Sequence, residues 1–195
     1  MVETTGSLLK VILTRTNFNY LLLALRPRQW VKNLFIFVPL IFGQKLFSFP
    51  ENLIVMASFP LFCVTASSVY LINDVLDFQK DRIHRARRLR PIASGKVSLT
   101  LAKLTAVILV SMAIPAAFVL NFYFGLILSL YFFLNLLYSI YLKNIVIIDV
   151  FCVGVFFLLR IVAGTFVAQV KFSHWMVFMV VLLAMFLGFN KRRQD

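Results

Sequence analysis

Long apolar runs separated by short polar segments are the dominant pattern along this chain. A transmembrane helix needs about 20 predominantly apolar residues, and six runs approach or exceed that length. The pattern predicts membrane-spanning helices over about Asn33–Phe49, Asn52–Ile72, Leu101–Leu120, Phe122–Leu142, Ile145–Val170 and His174–Phe189. The first run is the weakest, since it is short and contains Pro39 and Gly43. We therefore expect an all-α, multi-span transmembrane helical bundle.

The composition excludes a water-soluble fold. Of the 195 residues, 62% are hydrophobic and 14% are charged, whereas roughly a quarter of a globular protein is charged. A soluble chain of this size leaves too much surface exposed to hide so many apolar side chains. Cys63 and Cys152 lie in separate apolar runs without a partner at metal-ligand spacing, so we interpret both as buried apolar residues. The sequence thus indicates a single membrane-embedded domain over residues 1–195, with no removable signal peptide.

Basic residues are concentrated on one side of the predicted bundle. The chain has 20 Lys and Arg against 7 Asp and Glu, a formal net charge of +13. Seventeen of these cations lie in the two terminal segments and in the second-to-third and fourth-to-fifth connections. Lys45 and Lys171 lie on the opposite side, and Arg160 lies within a span. The positive-inside rule places the basic side and both termini of this chain in the cytoplasm of a cell (inner) membrane. The charge then reflects topology and not nucleic-acid binding.

The longest polar connection, residues 73–100, is the expected cytoplasmic catalytic loop. Asn73, Asp77 and Asp81 recur every four residues, which would stack their oxygen-bearing side chains on one helix face. A hard cation such as Mg²⁺, which favours carboxylates together with substrate phosphates, would relieve the repulsion between such acids. The alternative is a solvated helix end whose acids pair with the nearest basic residues, Lys80, Arg82 and Arg85. The spacing alone does not choose between these interpretations.

A cluster of basic residues follows these acids in the sequence. The basic residues within 15 positions of Asp81 on its C-terminal side are Arg82, Arg85, Arg87, Arg88, Arg90 and Lys96. Arginine binds phosphate bidentately, so acids that hold a cation beside several arginines would form a receptor for a diphosphate. An anchor to anionic lipid is the competing interpretation. Because an anchor does not require the acids, the pattern favours phosphate binding.

Further polar groups border the predicted spans. The segment Arg26–Asn33 opens the first span, and by itself it indicates an interfacial anchor. Tyr138, Ser139 and Lys143 close the fourth span. We interpret His84 and His174 as ordinary interfacial residues, although His84 lies close to the acids.

Two ionisable residues lie in the fifth span. Asp149 and Arg160 are about three helical turns apart and are expected to face the same way. Ionisable side chains inside a membrane usually point into a bundle interior or a wet cavity. A structural ion pair between Asp149 and Lys143, or another cation on a neighbouring helix, is the competing interpretation.

Several motifs occur in a fixed order along the chain. They are Arg26-Pro27-x-Gln29-Trp30-x-Lys32-Asn33, Asn73-Asp74-x-x-Asp77-x-x-x-Asp81-Arg82-x-His84, Arg90-Pro91-Ile92-Ala93-Ser94-Gly95, Tyr138-Ser139-x-x-Leu142-Lys143, Asp149-Val150, Arg160-x-x-Ala163-Gly164 and Lys191-Arg192-Arg193. The aspartate-rich motif resembles the first such motif of the UbiA superfamily of intramembrane prenyltransferases. The whole set resembles its decaprenyl-phosphate phosphoribosyltransferase branch, from about Arg26 to the last residue.

The resemblance implies a reaction and a set of roles. The phosphate of a membrane polyprenyl (decaprenyl) phosphate would attack the anomeric carbon of phosphoribosyl diphosphate, and pyrophosphate would leave. Asn73, Asp77 and Asp81 would be the catalytic residues and would hold Mg²⁺, which neutralises the departing diphosphate. The implied substrate-binding residues are Arg28, Lys32, Asn33, Asp74, Arg82, His84, Arg88, Arg90, Tyr138, Lys143, Asp149 and Arg160. The apolar helices would form a groove for the isoprenoid tail.

Other functions stay open. A UbiA-type prenyltransferase that joins a polyprenyl diphosphate to an aromatic or other ring would share the fold, Mg²⁺ and diphosphate chemistry. A non-catalytic membrane scaffold predicts instead that Asp77→Ala and Asp81→Ala leave ligand binding unchanged. Superfamily members typically have nine spans, so six spans are expected to form an incomplete UbiA-like bundle, a fragment with a lipid groove open on one side.

Overall fold

A computed structural model of the chain describes residues 18–171 and, beyond them, Trp175, Phe178, Met179, Val181, Leu182 and Phe186, with the side chains of all of these except Asn144, Val146, Ile147, Asp149 and Val150. Every regular element in this part of the chain is helical, which confirms the all-α prediction. The α-helices in chain order are α1 (Phe18–Ala24), α2 (Val38–Phe42), α3 (Glu51–Leu76), α4 (Phe78–Ile83), α5 (Leu99–Leu120), α6 (Phe122–Ile140) and α7 (Val146–Ala168). Short 3-10 segments lie at Pro27–Phe37, Arg87–Leu89 and Leu142–Asn144.

Four helices are long and apolar enough to cross a membrane, namely α3, α5, α6 and α7. They confirm the second to fifth predicted spans. Most of the predicted sixth span, His174–Phe189, lies outside the described residues. The structure therefore supports a multi-span bundle, but it does not confirm a count of nine spans.

Side-chain caps begin α5 and α6. The hydroxyl of Ser98 accepts a hydrogen bond from the N–H of Leu101, at 3.2 Å, at the start of α5. Asn121 adopts an extended backbone that ends α5, and its side chain then accepts from the N–H of Phe124, at 3.0 Å, to begin α6. Both caps satisfy N–H groups that a helix start leaves without intrahelical partners. One asparagine thus ends one span and begins the next.

The first predicted span, Asn33–Phe49, is wrong in its bounds and in its helix type. The observed segment begins at Pro27, runs as a 3-10 helix to Phe37 and ends with α2 at Phe42. The positions that face the bundle recur every three residues: Trp30 donates to Ser67 at 3.0 Å, and Asn33, Ile36 and Pro39 are buried. A 3-10 helix has three residues per turn, so this conformation aligns Trp30, Asn33 and Ile36 on one side, and Pro39 continues that side at the start of α2. At about 2.0 Å per residue it is longer than an α-helix of the same residue count.

Two apolar clusters hold the elements together. The larger one joins the first segment to α3, α6 and α7 through side chains that include Ile36, Phe62 and Leu128. The smaller one joins α1, α3 and α5 to the loop before α5, where Ile92 and Val97 are buried. The second cluster anchors this loop, so the residues just before it, including Arg90, are held over the end of α3.

Candidate active site

A cavity of about 510 Å³ opens at the basic end of the bundle. Side chains of α3, α4, α6 and α7 form it, together with residues of the three 3-10 segments and of the loop before α5. Seven cationic side chains and one carboxylate line it. The lining residues are Arg26, Lys32, Val69, Tyr70, Asn73, Asp77, Lys80, Arg87, Arg90, Tyr131, Asn135, Tyr138, Ser139, Lys143, Val153, Phe156, Phe157 and Arg160. Such a lining attracts an anion that carries several negative charges.

Lys143 binds two oxygens at the end of α3. Its Nζ lies 2.6 Å from Oδ1 of Asp77 and 3.4 Å from Oδ1 of Asn73. Asn73 and Asp77 are one helical turn apart, and the 3-10 turn after α6 brings Lys143 to them. The two oxygens therefore already share one positive charge.

Two buried carboxylates position two of the arginines in the lining. Asp74 accepts hydrogen bonds from Arg26 and, at 3.1 Å, from Arg90. Arg90 also donates to Oδ2 of Asp81, at 2.6 Å. Asp74 and Asp81 are almost fully buried, and Oδ1 of Asp81 has no hydrogen-bond partner among the described residues. Charged pairs held in this way fix both guanidinium groups at the edge of the cavity.

The spacing predicted that the acids form one continuous row on a helix face, and the structure contradicts this prediction. Helix α3 ends at Leu76, and Asp77 has a non-helical backbone before α4 begins. Asn73 and Asp77 face Lys143, whereas Asp81 faces Arg90. The pairing of the acids with Lys80, Arg82 and Arg85, considered above, is not observed: among the described residues their partners are Lys143, Arg26 and Arg90.

Arg160 lies deeper in the bundle and is 3% exposed. Its Nε donates to Oδ1 of Asn33 at 2.8 Å, its Nη1 to the carbonyl of Phe156 at 2.6 Å and its Nη2 to the hydroxyl of Tyr131 at 2.9 Å. Asn33 in turn donates to the thiol of Cys63 at 3.2 Å. Cys63 is buried, as predicted, whereas Cys152 is half-buried. All three partners of Arg160 are neutral, so no described side chain balances its charge.

Seven of the predicted site residues line the cavity: Lys32, Asn73, Asp77, Arg90, Tyr138, Lys143 and Arg160. Asn33, Asp74 and Asp81 lie behind this lining and hold cations that are part of it. Arg28 and Arg88 are exposed and do not line it. Arg82 lies over the ring of Phe78, and His84 accepts the N–H groups of Ala86 and Arg87 in a turn. The side chain of Asp149 lies outside the described part, so its predicted pairing stays a prediction.

Sequence reasoning missed several lining residues, notably Tyr131 and Asn135. Both are polar residues within an apolar span, and together with Tyr138 they recur at i, i+4 and i+7 on α6. That spacing places all three on one helix face, and it is the signal that could have identified them. Lys80 lies in α4, and the sequence suggested it only as a partner of the acids; Arg87, in the 3-10 segment Arg87–Leu89, was among the cations expected to bind phosphate.

The oxygen donors at the end of α3 fit a hard divalent cation. Asn73 and Asp77 already present Oδ1 atoms to one positive charge. Asp81 lies on the side of Arg90, and no described residue donates a hydrogen bond to its Oδ1. Carboxylate and amide oxygens are ligands that Mg²⁺ accepts. No group of three acidic, histidine or cysteine side chains in the described part is arranged as a complete metal site. Substrate oxygens would therefore have to complete the coordination.

Comparison with known proteins identifies the family. The sequence matches the UbiA prenyltransferase family over residues 34–190. The chain belongs to this family. Its fold is also that of a solved UbiA homolog from Archaeoglobus fulgidus, which was bound to DMAPP and Mg²⁺; the TM-score is 0.70 at 21% identity, over 85% of this chain and 60% of that one. These findings confirm the UbiA resemblance and the UbiA-like fold of an integral membrane protein.

This UbiA-family chain is also similar to curated proteins with a more specific name. It is 34% identical to the decaprenyl-phosphate phosphoribosyltransferases of Corynebacterium glutamicum and Mycobacterium tuberculosis, over 87% of this chain. It covers 52% and 57% of those proteins, respectively. It is 36% identical to uncharacterized protein y4nM of Sinorhizobium fredii, over 88% of this chain and 33% of that protein. The chain thus spans about half the length, or less, of these relatives.

Proposed function

We propose that this protein transfers the 5-phosphoribosyl group from phosphoribosyl diphosphate to a polyprenyl phosphate in the membrane, with release of pyrophosphate. The cavity carries this proposal, because it combines a strongly cationic, water-facing mouth with an aromatic interior inside a membrane bundle. The names of the relatives from C. glutamicum and M. tuberculosis support the choice of substrates.

The water-facing part suits a soluble diphosphate. Lys32, Lys80 and Arg87 are exposed at the mouth, and Arg26 and Arg90 are held at its edge by buried acids. Cations fixed before the substrate arrives stabilise developing negative charge without reorganising. They would neutralise the pyrophosphate as the bond between it and the anomeric carbon breaks.

Mg²⁺ is part of the proposal. Asn73, Asp77 and Asp81 would hold it, and it would supply positive charge to the diphosphate leaving group. The solved UbiA homolog, which was bound to Mg²⁺, supports a divalent cation in this fold.

The chemical step needs little proton transfer. An oxygen of the lipid phosphate forms the new bond to the anomeric carbon, the bond from that carbon to the diphosphate oxygen breaks, and the leaving pyrophosphate takes the electron pair. Because the attacking phosphate is already ionised at neutral pH, we assign no general base. The residues of this chain would bind and align the two substrates, and such alignment lowers the activation free energy.

The mouth would open to the cytoplasm. Basic residues collect on the cytoplasmic side of membrane proteins, and the basic end of this bundle contains the cavity. Phosphoribosyl diphosphate would then enter from the cytoplasm of a cell with this protein in its inner membrane.

A transfer assay tests the proposal. Membranes containing this chain are supplied with labelled phosphoribosyl diphosphate and a polyprenyl phosphate, with and without Mg²⁺. We expect labelled lipid that depends on Mg²⁺. A second arm supplies a polyprenyl diphosphate and an aromatic acceptor; a prenylated ring there, with no labelled lipid in the first arm, would replace the proposal by the ring-prenylation alternative.

Asp77→Asn tests the assigned metal ligand. The variant should lose Mg²⁺-dependent binding of phosphoribosyl diphosphate by about tenfold or more, since a carboxylate ligand becomes neutral. Isothermal titration in detergent measures this binding. Glu51→Gln is the matched control, because Glu51 lies at the other end of α3 and also pairs with a lysine, Lys45. Unchanged Mg²⁺ dependence in Asp77→Asn, with Glu51→Gln also normal, would refute the assignment.

A further inference from the structure

We propose that Arg160 forms a separate binding site for the phosphate of the lipid substrate, inside the bundle and apart from the diphosphate site at the mouth. This inference rests on the proposed function, because it divides the cavity between that reaction's two substrates. Three observations support it: N–H donors of Arg160 that no described residue accepts, a charge that no described side chain balances, and aromatic surroundings.

Arg160 is held in place and still has hydrogen atoms to donate. A guanidinium group has five N–H donors, and described residues accept three of them. The bonds to Asn33, Phe156 and Tyr131 fix the plane of the group, while the remaining N–H groups lie on Nη1 and Nη2. Two such N–H groups match the paired oxygens of a phosphate.

An anion bound at Arg160 would balance its buried positive charge. The residue is 3% exposed and lies within a span, where an unbalanced charge is costly. Its three partners among the described residues are neutral, and Asp74, Asp77 and Asp81 already pair with other cations. A bound phosphate monoester would balance this charge.

The surroundings indicate a phosphate that is attached to an apolar chain. Rings of Phe62, Tyr131 and Phe157 lie 4.9–5.6 Å from the guanidinium carbon of Arg160. Val153 and Phe156 line the same part of the cavity. In contrast, Lys80 and Arg87 at the mouth are exposed. Water can therefore solvate a soluble ligand that binds there. An amphiphilic phosphate therefore fits the interior, and a soluble diphosphate fits the mouth.

Binding of farnesyl phosphate, a short lipid phosphate, tests the proposal. It is titrated into the purified protein in detergent, with farnesol and inorganic phosphate as separate ligands. Arg160→Gln should weaken farnesyl phosphate binding by about tenfold or more, because a charged hydrogen-bonding partner is lost. It should leave farnesol binding and the binding of phosphoribosyl diphosphate with Mg²⁺ within about twofold of wild type.

The matched variant Lys80→Gln/Arg87→Gln should show the opposite pattern. Both residues are exposed, so this variant should fold even if Arg160→Gln does not. It should weaken phosphoribosyl diphosphate binding and spare farnesyl phosphate. Equal loss of both ligands in this variant would overturn the proposal, and so would inorganic phosphate that binds as tightly as farnesyl phosphate.

Failure of the reaction and failure of this site are distinguishable. If the transfer assay yields no labelled lipid while farnesyl phosphate binding still depends on Arg160, the reaction is wrong and the lipid-phosphate site stands. If transfer occurs and Arg160→Gln binds farnesyl phosphate normally, the reaction stands and the site is wrong.

Discussion

At the scale of single residues, the charge of Lys143 is central to the site. Its ammonium group lies between Oδ1 of Asp77 and Oδ1 of Asn73, at 2.6 Å and 3.4 Å. These are two of the oxygens proposed to hold Mg²⁺. A lysine and a metal ion would compete for them unless substrate phosphate draws the lysine away. Lys143 would thereby couple metal binding to substrate binding.

Lys143→Gln tests this competition. In the absence of phosphate ligands, the variant should bind Mg²⁺ about three- to tenfold more tightly, since a nearby positive charge is removed. Titration calorimetry of the purified protein measures the dissociation constant. Lys171→Gln is the control, because it removes the same charge from an exposed position outside the cavity lining. Equal or weaker Mg²⁺ binding in Lys143→Gln would contradict the competition.

At the scale of elements, one glycine sets how closely the first segment approaches α7. A Cβ atom built on Gly164 would lie 2.1 Å from the carbonyl oxygen of Ile36. Ile36 lies one 3-10 turn after Asn33, which donates to Cys63 and accepts from Arg160. The close contact at Gly164 therefore maintains the geometry of the Arg160 network, although Gly164 does not line the cavity.

Gly164→Ala should disturb both packing and the Arg160 network. The added methyl must displace backbone, and overpacking of this kind costs about 1–3 kcal/mol of unfolding free energy. Denaturation in mild detergent, followed by circular dichroism, measures the loss. Ala116→Ser adds one heavy atom at an exposed position of α5 and should change stability little. If Gly164→Ala is as stable as this control, the backbone contact does not constrain the bundle.

At the scale of the whole molecule, the two ends of the bundle differ in charge. The mouth of the cavity and six of its seven cations lie at one end, and Arg160 lies deeper in the bundle. At the other end, Lys45 pairs with Glu51 and donates to the carbonyl of Gln169, at 3.0 Å, which links the start of α3 to the end of α7. This asymmetry makes the orientation in the membrane a direct prediction.

Single cysteines at exposed positions should report that orientation. The cysteine of Lys96→Cys is in the loop before α5, at the cavity end of the bundle. The cysteine of Gln44→Cys follows α2, at the opposite end of the bundle. In a background with Cys152→Ala, a membrane-impermeant thiol reagent should label Gln44→Cys in intact cells and Lys96→Cys in inverted vesicles. The background without an added cysteine controls for Cys63, which is buried. The reverse pattern would contradict the cytoplasmic placement of the cavity.

The amino-acid sequence by itself determined the class of fold, four of the spans and the residue types of the site. A bilayer requires long apolar helices, so α3, α5, α6 and α7 follow from apolar runs that need no knowledge of their neighbours. The aspartate-rich motif and the arginines could also be recognised as candidate site residues from the sequence, because acids and cations so close to apolar spans are rare and are usually functional.

Only the tertiary structure decided which of these groups meet. Lys143 reaches Asp77, which is 66 positions away, and Arg160 reaches Asn33, which is 127 positions away. In the first segment, the positions that face the bundle recur every three residues. This period could be interpreted only from the structure, in which Trp30 contacts Ser67 of α3. Asp81 does not share the partner of Asp77 because the chain breaks from helical geometry at Asp77, between α3 and α4. Long-range partners depend on how whole helices pack, which local spacing does not specify.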